Sequence, residues 1–332
     1  MWNLLLILAL SLPALRGIAG DVRGIEKQAP RLPTFRGEDP RPVGAWRFGW
    51  KQDHMFRLRD EKPLYSVKLR RDAFGFRQIP AYGLGANKFQ QHLFFLGCSY
   101  TFGEGVEDEE TFSAQLAAEL PDHRVVSMAR SGASPFDWLY LWRSFNWTEV
   151  FPETRGRMVV VLIKDHISRL SLSWKYLSWG NPDAPIYVRR RDDWVFDGIN
   201  SDRWSYRWIH WLKRRGLEYY WLRGAAHFED EDAPAGTHEL ISLLKHLRAE
   251  YLRQYPQGEF VVTWMPLESP FHTLTAQAEF KKLLGSEGLL FWDADTVPDG
   301  DWEVRRIRGD GHPTAIAHKD MSDYVAAKIK GR

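Results

Sequence analysis

The chain has 332 residues, enough for one large domain or two ordinary ones, and its 44% apolar and 27% charged residues describe a chain that can bury a core. Lys and Arg number 45 against 43 Asp and Glu, a formal charge of +2, so no field of one sign covers the surface and a general nucleic-acid binder is excluded. Cys98 is the only cysteine, which removes intrachain disulfides, Cys-rich zinc sites and CxxC redox chemistry together.

From Leu4 to Leu15 runs an almost unbroken apolar stretch, shorter than the about 20 residues of a membrane-spanning helix but of the length of a secretory signal's hydrophobic part. Gly17, Ile18 and Ala19 follow it. This predicts a signal segment over residues 1–20 and export to the periplasm or the extracellular space. An uncleaved, membrane-associated N-terminus and an apolar first element of the fold are the alternatives. No cysteine follows the run, so no lipid-anchored lipoprotein is expected.

Residues 21–88 are rich in Pro, Gly and Arg, with strand-like alternation at Tyr65 to Leu69, and read as an irregular or β-rich lead-in. Residues 89–332 then alternate apolar runs with amphipathic stretches. The runs are His92 to Cys98, Arg124 to Met128, Met158 to Ile163, Glu259 to Trp264 and Leu289 to Trp292, the pattern of strands buried on both faces. Helices are predicted at Glu110 to Leu120, Pro135 to Phe145, His238 to Tyr255, Ala276 to Leu284 and Ala315 to Lys330. Strand and helix in repetition predict an α/β fold, a three-layer sandwich around a parallel sheet of about five strands. A Trp-rich insertion over about 171–235 interrupts the rhythm. The acidic run Glu229 to Asp232 reads as a solvated loop.

In such sheets ligands bind beyond the carboxyl ends of the strands. After the first predicted strand stand Gly97, Cys98, Ser99, Tyr100, Thr101, Phe102, Gly103, Glu104, Gly105 and Val106. Ser99 lies on the turn leaving the strand, where a hydroxyl can meet an acyl carbon and its own N–H a developing oxyanion. An ordinary turn serine is the plain alternative. A thiol mechanism through Cys98 is disfavoured, because adjacent residues at a strand end point to opposite faces and Cys98 is then buried and inert. Near the C-terminus, Asp310 and His312 supply a base and a partner to fix its tautomer, ahead of a helix that Thr314 can cap. A surface-loop histidine is the alternative there, and His318 reads as structural or solvated.

These blocks resemble those of the SGNH, or GDSL-type, hydrolase superfamily. The nucleophile block of that family, Gly-Asp-Ser followed by Thr-x-Gly-x-Gly-Val, is matched by residues 97–112 with Cys98 in place of the Asp. Its last block, Asp-x-x-His or Asp-Gly-His-Pro, is matched at Asp310 to Pro313, and Gly75, Phe76 and Arg77 match a Gly-Phe-Arg found ahead of the nucleophile strand in some members. The resemblance implies a flavodoxin-like SGNH hydrolase fold and a catalytic set of Ser99, Asp310 and His312. It also implies oxyanion donors at the backbone N–H of Ser99 and Gly132, although the Asn usual before that glycine is absent. The family's third donor, an Asn after the third strand, is missing too. His166 is the nearest replacement, with a structural role paired to Asp165 or to the backbone as its alternative.

Of the 16 tryptophans, Trp138 and Trp142 are spaced for a helix face in the core. Trp204, Trp208 and Trp211 suit a buried helical stripe better than a sugar platform. Arg189 to Arg191 and Lys213 to Arg215 read as solvated. Together these features predict a carboxylic ester hydrolase acting on an acylated small molecule or glycan, with no metal or organic cofactor and no nucleic-acid partner. An O-acyltransferase using the same residues and a glycan-binding protein that lost activity are the rivals.

Overall fold

The middle of the molecule is built from runs of side chains that are apolar nearly throughout, because each strand is covered on both faces. In this computed structural model the described residues are 33–37, 40, 52–59, 61–80, 89–225, 234–265, 274–294 and 302–331. All belong to one compact unit spanning 32–332. The signal segment expected over 1–20, the start of the lead-in and the acidic run Glu229 to Asp232 lie outside the described residues.

The first elements form an antiparallel hairpin, β1 (Gln52–Arg59) and β2 (Lys62–Arg70). The main sheet begins with β3 (Gln91–Leu96), followed by the one-turn helix α1 (Ser99–Phe102), α2 (Phe112–Glu119), β4 (His123–Ser127) and α3 (Pro135–Ser144). After β5 (Arg155–Leu162) come α4 (Asp165–Leu170) and α5 (Trp174–Trp179). A second hairpin, β6 (Pro185–Arg190) and β7 (Asp193–Ile199), leads to α6 (Trp204–Lys213) and α7 (Glu218–Ala225). The long helix α8 (Pro234–Gln254) returns the chain to β8 (Gln257–Trp264). The chain closes with α9 (Leu274–Ser286), β9 (Leu290–Phe291), α10 (Trp302–Arg305) and α11 (Ala315–Ile329).

Five strands make one parallel sheet in the order β4-β3-β5-β8-β9. Side chains along each strand alternate between its faces. Phe94 and Leu96 of β3, with Met158, Val160 and Leu162 of β5, join the core under α3 and α8. Leu93, Phe95, Val159 and Val161 join the opposite core under α2 and α11, and Cys98 is buried there. The α/β sandwich and its parallel sheet of five strands agree with the pattern of apolar runs.

Because β4 lies on one side of β3 and β5 on the other, the strand order reverses between β3 and β5. Chain ends diverge at such a point, and the crevice they leave above the carboxyl ends is where open α/β sheets take their ligands. Ser99 follows β3 and α4 follows β5, so both leave the sheet at this reversal.

Trp138 and Trp142 are fully buried, as their helical spacing predicts. The stripe in α6 is not. Trp204 is 69% exposed and Trp208 is also exposed, while Tyr206, Ile209 and Leu212 form the buried face of α6 against Tyr176 and Leu177. The helix carries two apolar faces, and the one bearing Trp204 and Trp208 is turned outward, with Trp211 half-buried against the core. Among the described residues no helix is long and apolar enough to cross a membrane.

Candidate active site

A cleft of about 790 Å³ lies at the reversal point, and Ser99, Gly132, Asp310 and His312 all line it. These four come from positions as far apart as 99 and 312, and the fold alone joins them.

Ser99 opens α1, whose last turn closes on Gly103 with a left-handed φ of 84° and with the Gly103 N–H donating to the Ser99 carbonyl. A side chain is strained in that conformation, and an added Cβ there meets Thr111 at 2.6 Å, so the loop after Ser99 requires glycine. The loop is gripped from below by Arg77 of the Gly-Phe-Arg segment. Its guanidinium donates to the carbonyls of Phe102 (3.2 Å), Gly103 and Val106 (2.6 Å), and its Nε donates to Asp108 (2.8 Å). Asp72 shapes the preceding turn by accepting the N–H groups of Phe74 (2.9 Å) and Phe76 (3.0 Å).

The His312 Nδ1–H donates to Asp310 Oδ2, which also accepts the His312 backbone N–H at 3.4 Å. Arg57, on β1, sets its Nε 2.9 Å from the other Asp310 oxygen. Burial pushes the Asp310 carboxyl up, but the hydrogen bond and charge of His312, and then the charge of Arg57, outweigh it and hold the group below its usual range. Asp310 therefore stays ionised and fixes His312 with Nε2 directed away from it.

Tyr100, the neighbour of Ser99, connects the Ser99 loop with the Asp310–His312 loop. Its hydroxyl donates to the Gly311 carbonyl at 3.2 Å and its ring lies 5.1 Å from the His312 ring. His312 Nε2 is 3.9 Å from Glu104 Oε2, and Glu104 accepts the Tyr65 hydroxyl at 2.8 Å. Among the described residues no hydrogen bond joins His312 to Ser99. In unliganded enzymes such bonds are often long and close only around the substrate.

Gly132 has a left-handed φ of 74° and faces Trp179 across the cleft, where a Cβ would come within 3.4 Å of the indole. Neither the Ser99 nor the Gly132 N–H donates to another described residue. Two unpaired backbone donors lining one cleft with a serine hydroxyl can stabilise a tetrahedral oxyanion.

The structure does not bring His166 into the cleft. Its ring is fully buried, Nδ1 accepts the Ile163 N–H at 3.0 Å, and the ring stands edge-on to Trp138 at 4.8 Å. Burial first, and then the Arg169 charge, push its pKa well below the usual value, so the imidazole is neutral. Asp165 and Arg169, one helical turn apart and 3.6 Å from each other, line the cleft in its place. Arg169 also donates to the Ala133 carbonyl at 2.8 Å and lies over the Trp179 ring. Although burial disfavours its charge, Cys98 and Asp165 outweigh it and its pKa is raised. Asp165 and Arg169 were legible as a charged i,i+4 pair just after a strand. Arg57 had no sequence signal, because nothing in a distant hairpin tells which carboxylate it will meet.

His318 is the structural histidine expected. It is fully buried and accepts the Phe112 N–H at 3.3 Å. Among the described residues no group of three or more His, Cys, Asp or Glu side chains converges as a metal site requires.

No protein-family model matches the chain, and no curated protein matches it in sequence. Solved structures similar to it include TesA, at 16% identity and a TM-score of 0.39, covering 73% of this chain and 99% of that one. A family two carbohydrate esterase from Clostridium thermocellum in complex with cellohexaose is 12% identical, with a TM-score of 0.42 and coverage of 75% and 66%. A putative lipolytic protein of the G-D-S-L family from Desulfitobacterium hafniense DCB-2 is 12% identical, with a TM-score of 0.38 and coverage of 71% and 98%. The likeness to these structures is weak both in identity and in TM-score. It is a loose likeness of fold, and the chemistry of the site follows from its own residues.

Proposed function

We propose that this chain is a serine-dependent carboxylic ester hydrolase. The observation that carries the reading is the hydrogen-bonded Asp310–His312 pair lining the same cleft as Ser99, at the sheet's reversal point. Ser99 Oγ attacks the acyl carbon while His312 Nε2 takes its proton, and the new oxyanion faces the N–H groups of Ser99 and Gly132. Collapse expels the alcohol, which leaves with the proton held by His312. Water, deprotonated by the same imidazole, then releases the acid and regenerates Ser99. The carboxylate of Asp310 orients the imidazole throughout.

The lining of the cleft also includes the exposed Trp179 ring, Asn181 and Arg169. An aromatic face beside polar groups supports an acylated sugar as substrate. The apolar run Leu4 to Leu15 supports action outside the cytosol.

Labelling with a fluorophosphonate, followed by peptide mapping, tests the reading. An adduct on Ser99 that disappears in Ser99→Ala and in His312→Ala is the expected result. A folded protein that takes no label at Ser99 would overturn the hydrolase and favour a glycan-binding protein on the same fold.

A further inference from the structure

Trp179 lines the cleft and Trp194 is buried in the main core, but the other tryptophans of the insertion gather on α5, α6 and α7, with Trp204, Trp208 and Trp221 exposed and Trp174 and Trp211 half-buried beneath them. At 100° per residue, Trp204, Trp208 and Trp211 fall within an arc of about 60° on α6, beside the buried arc of Leu212, Ile209 and Tyr206. Trp174 and Trp221 complete the group. Trp174 packs edge-to-face on Trp204 (5.9 Å) and Trp221 (5.4 Å), Trp208 stacks on Trp211 (4.9 Å), and Trp221 stands edge-on to Trp208 (6.1 Å). Leu217 and Tyr219, the latter 64% exposed, extend the apolar surface.

Cations border this surface. Arg207, Lys213, Arg214 and Arg215 are exposed, and Arg215 lies 3.8 Å over the Trp211 ring. Lys213 has Glu218 at 4.0 Å, while Arg207, Arg214 and Arg215 form no ion pair with a described carboxylate. Indole rings beside arginine and lysine are the composition of a surface that sits at a headgroup boundary, with rings toward the acyl chains and cations on the phosphates. A sugar platform needs ring faces free for stacking. Here Trp211 has Trp208 stacked on it and Arg215 over it, and Trp174, Trp204, Trp208 and Trp221 are held by edge-to-face contacts with one another.

We propose that this face of α6 and α7 is a docking surface for an anionic lipid bilayer. Charge complementarity selects the occupant, since a patch whose described residues bear four cations and one paired carboxylate is drawn to a negative surface. Helix α5 carries Trp174 into the patch and Trp179 into the cleft, about 7.5 Å apart along its axis. Docking therefore holds the cleft close to the bilayer.

Co-sedimentation of the full chain with phosphatidylcholine vesicles, with and without roughly 30% phosphatidylglycerol, tests the proposal. Binding is expected to the anionic vesicles, weakening as salt rises. The pairs Arg214→Glu with Arg215→Glu, and Trp204→Ser with Trp208→Ser, should each lower the partition coefficient by about tenfold or more. Circular dichroism and melting temperature check that both remain folded; the charge pair lies at an exposed helix end and serves if the tryptophan pair does not fold. No binding, equal binding to neutral vesicles, or undiminished binding by a folded variant pair would overturn the proposal, the last placing the contact elsewhere in the chain. Retention on a soluble acidic polysaccharide in the absence of vesicle binding, lost in the same variants, would also overturn it and assign the patch to a glycan.

Discussion

Replacing Arg77 with Met removes one charge from the base of the loop after Ser99 while keeping much of the side-chain volume. The guanidinium is 1% exposed, and it pairs with Asp108, itself buried, while donating to three loop carbonyls. Arg70 also reaches Asp108, at 3.0 Å, but it is 45% exposed and screened by solvent. Breaking a buried pair by removing one partner costs about 3–5 kcal/mol, and each buried carbonyl that loses its donor adds about 1–3 kcal/mol unless water replaces it. Residual pairing with Arg70 and water entering at the loop offset part of this, so the expected loss is about 4 kcal/mol. Urea unfolding at constant m-value measures it. A cycle with Asp108→Asn should give a coupling of about 2 kcal/mol. Because Arg77 grips Phe102 to Val106, phosphonylation of Ser99 should slow in the molecules that remain folded. A loss below about 1 kcal/mol, or a coupling near zero, would refute the claim that this buried pair sets the loop.

Asp310→Asn should lower ester turnover by about a thousandfold or more, because the amide no longer fixes the His312 tautomer; a fall of less than about tenfold in steady-state assays would speak against the pair. Arg57→Ala should cost only about two- to fivefold in kcat with KM unchanged, since Arg57 is 51% exposed and its ion pair with Asp310 is screened. A loss near that of Asp310→Asn would mean that Arg57 meets the substrate. His92 is held neutral in the core: its Nδ1–H donates to the Glu153 carbonyl at 2.8 Å and its Nε2 accepts the Tyr251 hydroxyl at 2.7 Å. Burial pushes its pKa down to about 4. The unfolded chain therefore takes up a proton near pH 6.5 that the folded protein refuses until about pH 4. This contribution to stability is complete above pH 6.5 and is lost on acidification, up to about 3 kcal/mol. Urea midpoints between pH 4 and 7 should change less steeply in His92→Gln than in the parent, and parallel curves would contradict the assignment.

The sheet was legible because its strands are covered on both sides. Phe94 to Leu96 and Met158 to Leu162 are continuous apolar runs, and no other arrangement buries both halves of such a run so completely. Ser99 was legible from the end of its run and Asp310 and His312 from a short polar block ahead of the last helix, whereas Gly132 was implied only by the resemblance to SGNH hydrolases. The tryptophans of α6 were misread for a definite reason. Trp204, Trp208 and Trp211 share one helical face, and Tyr206, Ile209 and Leu212 share another at almost the same spacing, so periodicity finds two apolar stripes without saying which one meets the core.

The amino-acid order alone determined the layered α/β architecture, the burial of Cys98 beside Ser99 and the local pairing of Asp310 with His312, because each depends on alternation or on neighbours a few residues apart. Only the tertiary structure decided that Arg57 meets Asp310, that Tyr100 joins the Ser99 loop to the Asp310–His312 loop, and that Asp165 rather than His166 faces the cleft. One position along a helical turn swings a side chain by about 100°, and contacts between distant loops depend on where the sheet reverses its strand order. Neither quantity is carried by local spacing.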